Sequence, residues 1–159
     1  MQIEFADIPP ALAGALTEAL RLCPTGTDPE AALLLIGSED PEQALARIAD
    51  FAALHPVPVP VGTDLRASGQ VIWLLPAGTV ATLSGVLHRA ALAHAPQLRV
   101  NAIHLGPRRP KPAPWQAAWH AAQPHPGPEE LQKVLCKALG FLLQVPSVTG
   151  QLVNVNVSL

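Results

Sequence analysis

Apolar residues fall into two habits along this chain, short unbroken runs and longer stretches at helical spacing. Gln2–Ala6 is a short, partly apolar run that stops at Asp7 and Pro9-Pro10. Leu12, Leu16 and Leu20 then recur in four-residue steps, with Ala15, Ala19 and Leu22 beside them and Thr17, Glu18 and Arg21 on a polar side, which predicts an amphipathic helix. Pro24, Gly26 and Pro29 end it in a loop. Ala32–Ile36 is apolar throughout, the pattern of a strand covered on both faces. Asp40 and Pro41 offer an N-cap and an N1 proline for a helix reaching about Leu54. Leu45, Ile48, Ala49 and Ala52 form its inward side, and Glu42, Gln43, Arg47 and Asp50 its outward side.

Proline at every second position of Pro56–Pro60 excludes a central strand there. Gly69-Gln70 opens a second buried strand, Val71–Leu75. A helix is predicted from about Val80 to Ala95, where Leu83, Val86, Leu87, Ala90, Ala91 and Leu92 cover more than one face. Such a helix needs cover on two sides. Arg99–Leu105 reads as the third buried strand, and Gly106–Pro126, with six prolines, as a long irregular excursion. Pro128 and Glu129-Glu130 start the last helix, with Leu131, Val134, Leu135, Ala138, Leu139 and Leu142 at core spacing and Gly140 near its end. Val148–Val157 supplies a closing strand. Strands alternating with helices predict an α/β fold with a mainly parallel sheet. The whole of 1–159 reads as one domain, with proline-rich loops at 55–61 and 106–126.

Composition narrows the function classes. The chain is 49% hydrophobic and 14% charged, with a mean hydropathy of +0.27. No run approaches the roughly 18 apolar residues of a membrane span. The N-terminus lacks the basic and apolar regions of a signal peptide, which points to the cytoplasm. Cys23 and Cys136 lie far apart in no metal or redox spacing, and read as reduced, buried apolar fillers. The net charge of −2 hides a −7 first half (residues 1–80) and a +5 second half (81–159). The cations of the second half are scattered, apart from Arg108, Arg109 and Lys111, and no aromatics interleave with them. Nucleic acid is therefore not an expected partner.

Candidate chemistry is sparse. His120 and His125 have no acidic residue between them and make a poor zinc set. Ser84 and His88 are one helical turn apart but lack a G-x-S-x-G elbow. His88 and His94 are expected to be buried or interfacial. Trp115, Trp119 and His120 are candidates to line a pocket in the long loop. No G-x-G-x-x-G or G-x-x-x-G-x-G occurs, and Gly37, Gly62 and Gly69 read as turn glycines.

Two passages carry a family resemblance. Leu98-Arg99-Val100-Asn101-Ala102-Ile103-His104-Leu105-Gly106-Pro107 resembles the "IRVNAIAPGP" strand and turn of the short-chain dehydrogenases/reductases (SDRs). Val145-Pro146-Ser147-Val148-Thr149-Gly150-Gln151-Leu152-Val153-Asn154-Val155 resembles that family's C-terminal "SxxVTGQxxxVDGG", and its "PSVTGQ" looks most like the pteridine-reductase branch. Order and spacing match, with a "PEEL" helix (Pro128–Leu131) between them. Upstream, Phe5-Ala6-Asp7 resembles the family's third strand, while Leu34–Ser38 and Val71–Leu75 sit where its fourth and fifth strands belong.

The resemblance implies a truncated Rossmann-like parallel sheet lacking the first βαβ unit, where the family keeps its Gly-rich phosphate turn. It also implies hydride transfer assisted by a Tyr-x-x-x-Lys pair, which aligns near Pro76 and Val80. The chain contains no Tyr, its three Lys (Lys111, Lys133, Lys137) lie later, and Ile36-Gly37 and Leu75 replace the family's Asn and Ser. The nicotinamide-side "PG" has become Leu105-Gly106, and the adenine-side match at Asp7 has no phosphate turn beside it.

The expectation is thus a non-catalytic, SDR-like pseudoenzyme subunit with no cofactor or metal of its own. It would assemble with a full-length active SDR, or with itself. The interface candidates are Leu83, Val86, Leu87, Ala90, Ala91, Leu135, Leu139, Leu152, Val153 and Val155. The alternative is a stand-alone binder of a small, pterin-like molecule that uses the Trp115–His120 loop.

Overall fold

The computed structural model of the chain describes residues 2–23, 32–55, 67–76, 80–106, 128–145 and 147–155. Strands and helices alternate as β1 (Gln2–Ala6), α1 (Pro10–Leu22), β2 (Ala32–Ile36), α2 (Pro41–Leu54), β3 (Gly69–Pro76), α3 (Val80–His94), β4 (Leu98–Leu105), α4 (Pro128–Gln144) and β5 (Leu152–Val155). Every neighbouring pair of strands is parallel, and the strands lie in sequence order. This is a Rossmann-like α/β arrangement, a parallel sheet with helices on both faces.

Side-chain alternation sorts the core into two layers. Leu33 and Leu35 of β2, Ile72 and Leu74 of β3, and Ile103 and Leu105 of β4 meet α1 and α4 on one face. Leu34 and Ile36, Val71, Trp73 and Leu75, and Val100 and Ala102 meet α2 and α3 on the other. All five residues of β2 are buried, which is why its sequence is apolar without a break. Helix α2 begins as its sequence predicts, with the Asp40 carboxylate accepting from the Glu42 N–H at 3.0 Å and Pro41 in the first turn.

Because each step from strand to adjacent strand runs the same way across the sheet, crossovers on opposite faces have opposite hands. Helices α1 and α4 cross on one face and α2 and α3 on the other. Two of these crossovers therefore depart from the usual right-handed connection. The arrangement is wound about both faces without any reversal of strand order.

The closing strand starts later than its sequence predicts, and positions 156 and 157 of the predicted run lie outside the described residues. β5 starts at Leu152, and the preceding residues form a clasp on β4 instead. The Asn101 side chain, 2% exposed, donates from Nδ2 to the Val148 carbonyl (3.1 Å) and accepts from the Gln151 N–H at Oδ1 (3.0 Å). Thr149 Oγ1 accepts from the Val100 N–H (3.1 Å), and the Gly150 N–H donates to the Val100 carbonyl (2.8 Å). Arg99 Nη1 donates to the Val145 carbonyl at 2.6 Å, and burial pulls that guanidinium below its ordinary pKa range. Gly150 has φ +71°, a left-handed backbone that favours glycine. Ala102 then pairs with Leu152, and the register runs to Leu105 with Val155. Replacing Asn101 by Leu keeps the volume but strands two backbone groups. A loss of about 1–3 kcal/mol in urea denaturation is expected, and unchanged stability would contradict the clasp.

Candidate functional site at the carboxyl end of the sheet

Open parallel sheets bind ligands beyond the carboxyl ends of their strands, where neighbouring strands send the chain to opposite faces. Here β1 leads to α1 and β2 to α2 on opposite faces, and β3 and β4 part in the same way. The connections after β3 (77–79) and β4 (107–127) lie outside the described residues. The β1–β2 crevice can be read residue by residue.

It is filled by backbone. Asp7 takes a left-handed turn at φ 56° directly after β1, and the Gly37 N–H after β2 donates to the Ala6 carbonyl at 2.9 Å. A Cβ on Gly37 would stand 2.6 Å from the Asp7 carbonyl oxygen and 3.0 Å from Ile8 Cα. Gly37 is therefore a glycine of close approach, with β1's turn pressed against β2's.

Neither helix start beside the crevice suits an anion. Helix α1 has Pro9 at its N-cap and Pro10 in its first turn, which removes two N–H donors, and the Leu12 and Ala13 N–H groups turn back to the Pro9 carbonyl. At α2 the position is taken by the chain's own Asp40 carboxylate, with Glu42 in the first turn. The loop into α2 is fixed from below. The indole Nε1 of Trp73, itself fully buried, donates to the Ser38 carbonyl at 2.8 Å, and Ser38 Oγ bonds Gln43 Oε1 at 2.8 Å.

Beside this closed crevice a groove of about 280 Å³ runs between β1 and α2. Its floor includes Leu34, Phe51 and Leu54, and its walls carry Glu4, Asp7, Asp50 and Arg47. Arg47 Nε pairs with Asp7 Oδ2 at 3.3 Å. Three carboxylates against one guanidinium leave the groove acidic, an environment that repels phosphate.

The sequence-predicted residues are distributed as follows. Leu83, Leu87, Ala90 and Ala91 pack on the sheet beneath α3, and Leu135, Leu139 and Val155 lie in the opposite layer, all of them buried within this chain. Their apolar character is used in the chain's own core, so a charge at Leu87 tests folding instead of association. Val86, Leu152 and Val153 are only partly buried. Among the large apolar residues described on α3, the one turned outward is Leu92, 78% exposed. His88 is exposed, and its Nδ1 meets the Ser84 backbone carbonyl at 2.8 Å, which joins ring to backbone and not to the Ser84 hydroxyl. His94 is partly exposed. His104 Nδ1 contacts Asn154 Oδ1 at 3.1 Å, while its Nε2 is buried without a partner. Trp115, Trp119, His120 and His125 fall outside the described residues, as does the Arg108, Arg109 and Lys111 cluster. Among the described residues, no three His, Cys, Asp or Glu side chains group as metal ligands, and no helix is long and apolar enough to cross a membrane.

Sequence reasoning missed three features. Trp73 props the loop before α2, Asn101 clasps β5, and Cys23 meets Cys136. None has a spacing signal, because each partner lies at least 35 residues away.

A scan against known protein families finds no match to this chain, and a search of curated proteins finds none either.

The closed crevice and the acidic groove predict no binding of NAD(H) or NADP(H) by the isolated chain. Isothermal calorimetry should show no saturable heat, and a dissociation constant in the micromolar range would contradict this account.

Proposed function

We propose that this chain is a non-catalytic, cytoplasmic subunit of SDR-like type that assembles with a full-length SDR oxidoreductase and stabilises or completes it. The observation that carries the reading is the β1–β2 crevice. Among the described residues, this crevice at the carboxyl end of the sheet is packed with Asp7, Ile8 and Gly37 backbone, and the helix starts beside it are blocked by Pro9, Pro10 and Asp40. A chain without Tyr also lacks the acid/base that the SDR resemblance implies. That resemblance, two passages in register, supports an SDR as the partner class.

The assembly surface in this proposal is the β1 edge. β1 is an outermost strand, and Ile3 (37%) and Phe5 (43%) remain exposed on it. Leu54, 70% exposed, lines the adjoining groove. Unpaired edges bearing large apolar groups invite pairing with another chain. Folded elements already bury most of α3's apolar stripe, whereas β1 has no strand on its outer side among the described residues.

Light scattering of the purified chain mixed with a full-length SDR of the same organism provides the test. A complex is expected with the summed mass, and Phe5→Lys should weaken it at least tenfold while the melting temperature stays within a few degrees. A stable wild-type monomer, both alone and in the mixture, would overturn the proposal.

A further inference from the structure

The two cysteines, 113 positions apart in sequence, meet on the α1–α4 face of the sheet. Cys23 follows directly on α1 as its C-cap and is 6% exposed, while Cys136 lies within α4 and is partly exposed. Both are free thiols. Their Sγ atoms are 3.3 Å apart, and the Cys23 thiol donates to the Cys136 carbonyl at 2.9 Å. A disulfide needs about 2.05 Å between sulfurs, so roughly 1.3 Å must close. Gly140, one turn beyond Cys136, leaves a space in which even a Cβ would stand 3.8 Å from Cys23 Sγ. Cys23 has already left the helix, with an extended backbone at φ −66° and ψ 125°.

We propose that Cys23 and Cys136 form a dithiol–disulfide site that covalently locks the end of α1 to α4, with a low-molecular-weight disulfide such as oxidised glutathione as its oxidant. The more exposed Cys136 acts first. Its thiolate attacks one sulfur of the small disulfide, whose S–S bond breaks, and the first small thiol leaves with the proton that Cys136 gave up. Cys23 then loses its proton to solvent and attacks Cys136 Sγ. The Cys23–Cys136 bond forms, the mixed disulfide breaks, and the second small thiol departs with a proton. Two protein thiols are oxidised and one small disulfide is reduced to two thiols. Burial, and then the neighbouring Cys136, push the Cys23 thiol up to about 12. Burial still holds the Cys23 thiol protonated once Cys136 carries the small thiol, so closure of the bond should speed up as pH rises from 7 to 9.

The full reduced chain, incubated under native conditions with oxidised glutathione and quenched in acid, supplies the test. Intact mass should show a monomer lighter by two hydrogens, and alkylation after unfolding should find no free thiol. The melting temperature should rise by about 5–15 °C, and dithiothreitol should reverse every change. Cys23→Ala should stop with one glutathione held on Cys136, whereas Cys136→Ala should remain unmodified at pH 7. A wild-type product that keeps glutathione, links two chains, or leaves both thiols open to alkylation would overturn the proposal.

Discussion

The side-chain amide of Asn101 is the interaction on which the second half of the sheet depends. It reads both a donor and an acceptor of the segment before β5, the Gln151 N–H and the Val148 carbonyl, from a position inside the core. Among the described residues β5 runs over four positions and pairs with β4 alone. The clasp of Asn101, Thr149 and Gly150 adds side-chain and backbone bonds just ahead of that ladder, which help fix its register. Once β5 is in register, Val155 joins the layer that receives Leu135, Leu139 and Leu142 of α4. A local polar device thus fixes a nonlocal apolar surface.

The same residues bear on the family resemblance. "RVNAI" and "VTGQ" are the two passages that look like SDRs, and they are the two halves of this clasp. Asn101 holds a loop, Thr149 caps an amide, and Gly150 turns with positive φ. These roles belong to the scaffold. At the opposite side of the sheet, β1 and β2 lack the open turns that would make the scaffold a nucleotide site, and Gly37 brings them into contact. The clasp and the closed β1–β2 crevice are both scaffold features, in keeping with the proposal that this fold presents a surface.

Most elements were legible because burial on two faces marks every residue of an inner strand, and breakers such as Asp7 and Pro9-Pro10 bound the edge strand. Ala32–Ile36 and Gln2–Ala6 match β2 and β1 in full, and Pro41–Leu54 matches α2 through its Asp40 cap. The closing strand was legible only in part. Val148 and Thr149 have strand-like chemistry, yet Val148's carbonyl and Thr149's hydroxyl bind β4's Asn101 and Val100 outside the ladder. The apolar breadth of α3 has a local reason. Leu83, Leu87, Ala90 and Ala91 form one stripe on the sheet, with Val86 at its flank and Leu92 outward. The crevice was harder to see, since a glycine of close approach and a turn glycine look alike in sequence. The thiol pair was illegible, because only the packing of α1 against α4 brings Cys23 to Cys136.

The proposed assembly with an oxidoreductase puts the contact at the edge strand β1, and hydrogen exchange resolved along the chain tests that most directly. Amides of Gln2–Ala6 that point away from β2 should exchange rapidly in the isolated chain. In the presence of the full-length SDR they should slow by at least tenfold, while amides of β2 and β3 stay as protected as before. A complex that leaves β1 exchange unchanged and protects another surface would contradict the account.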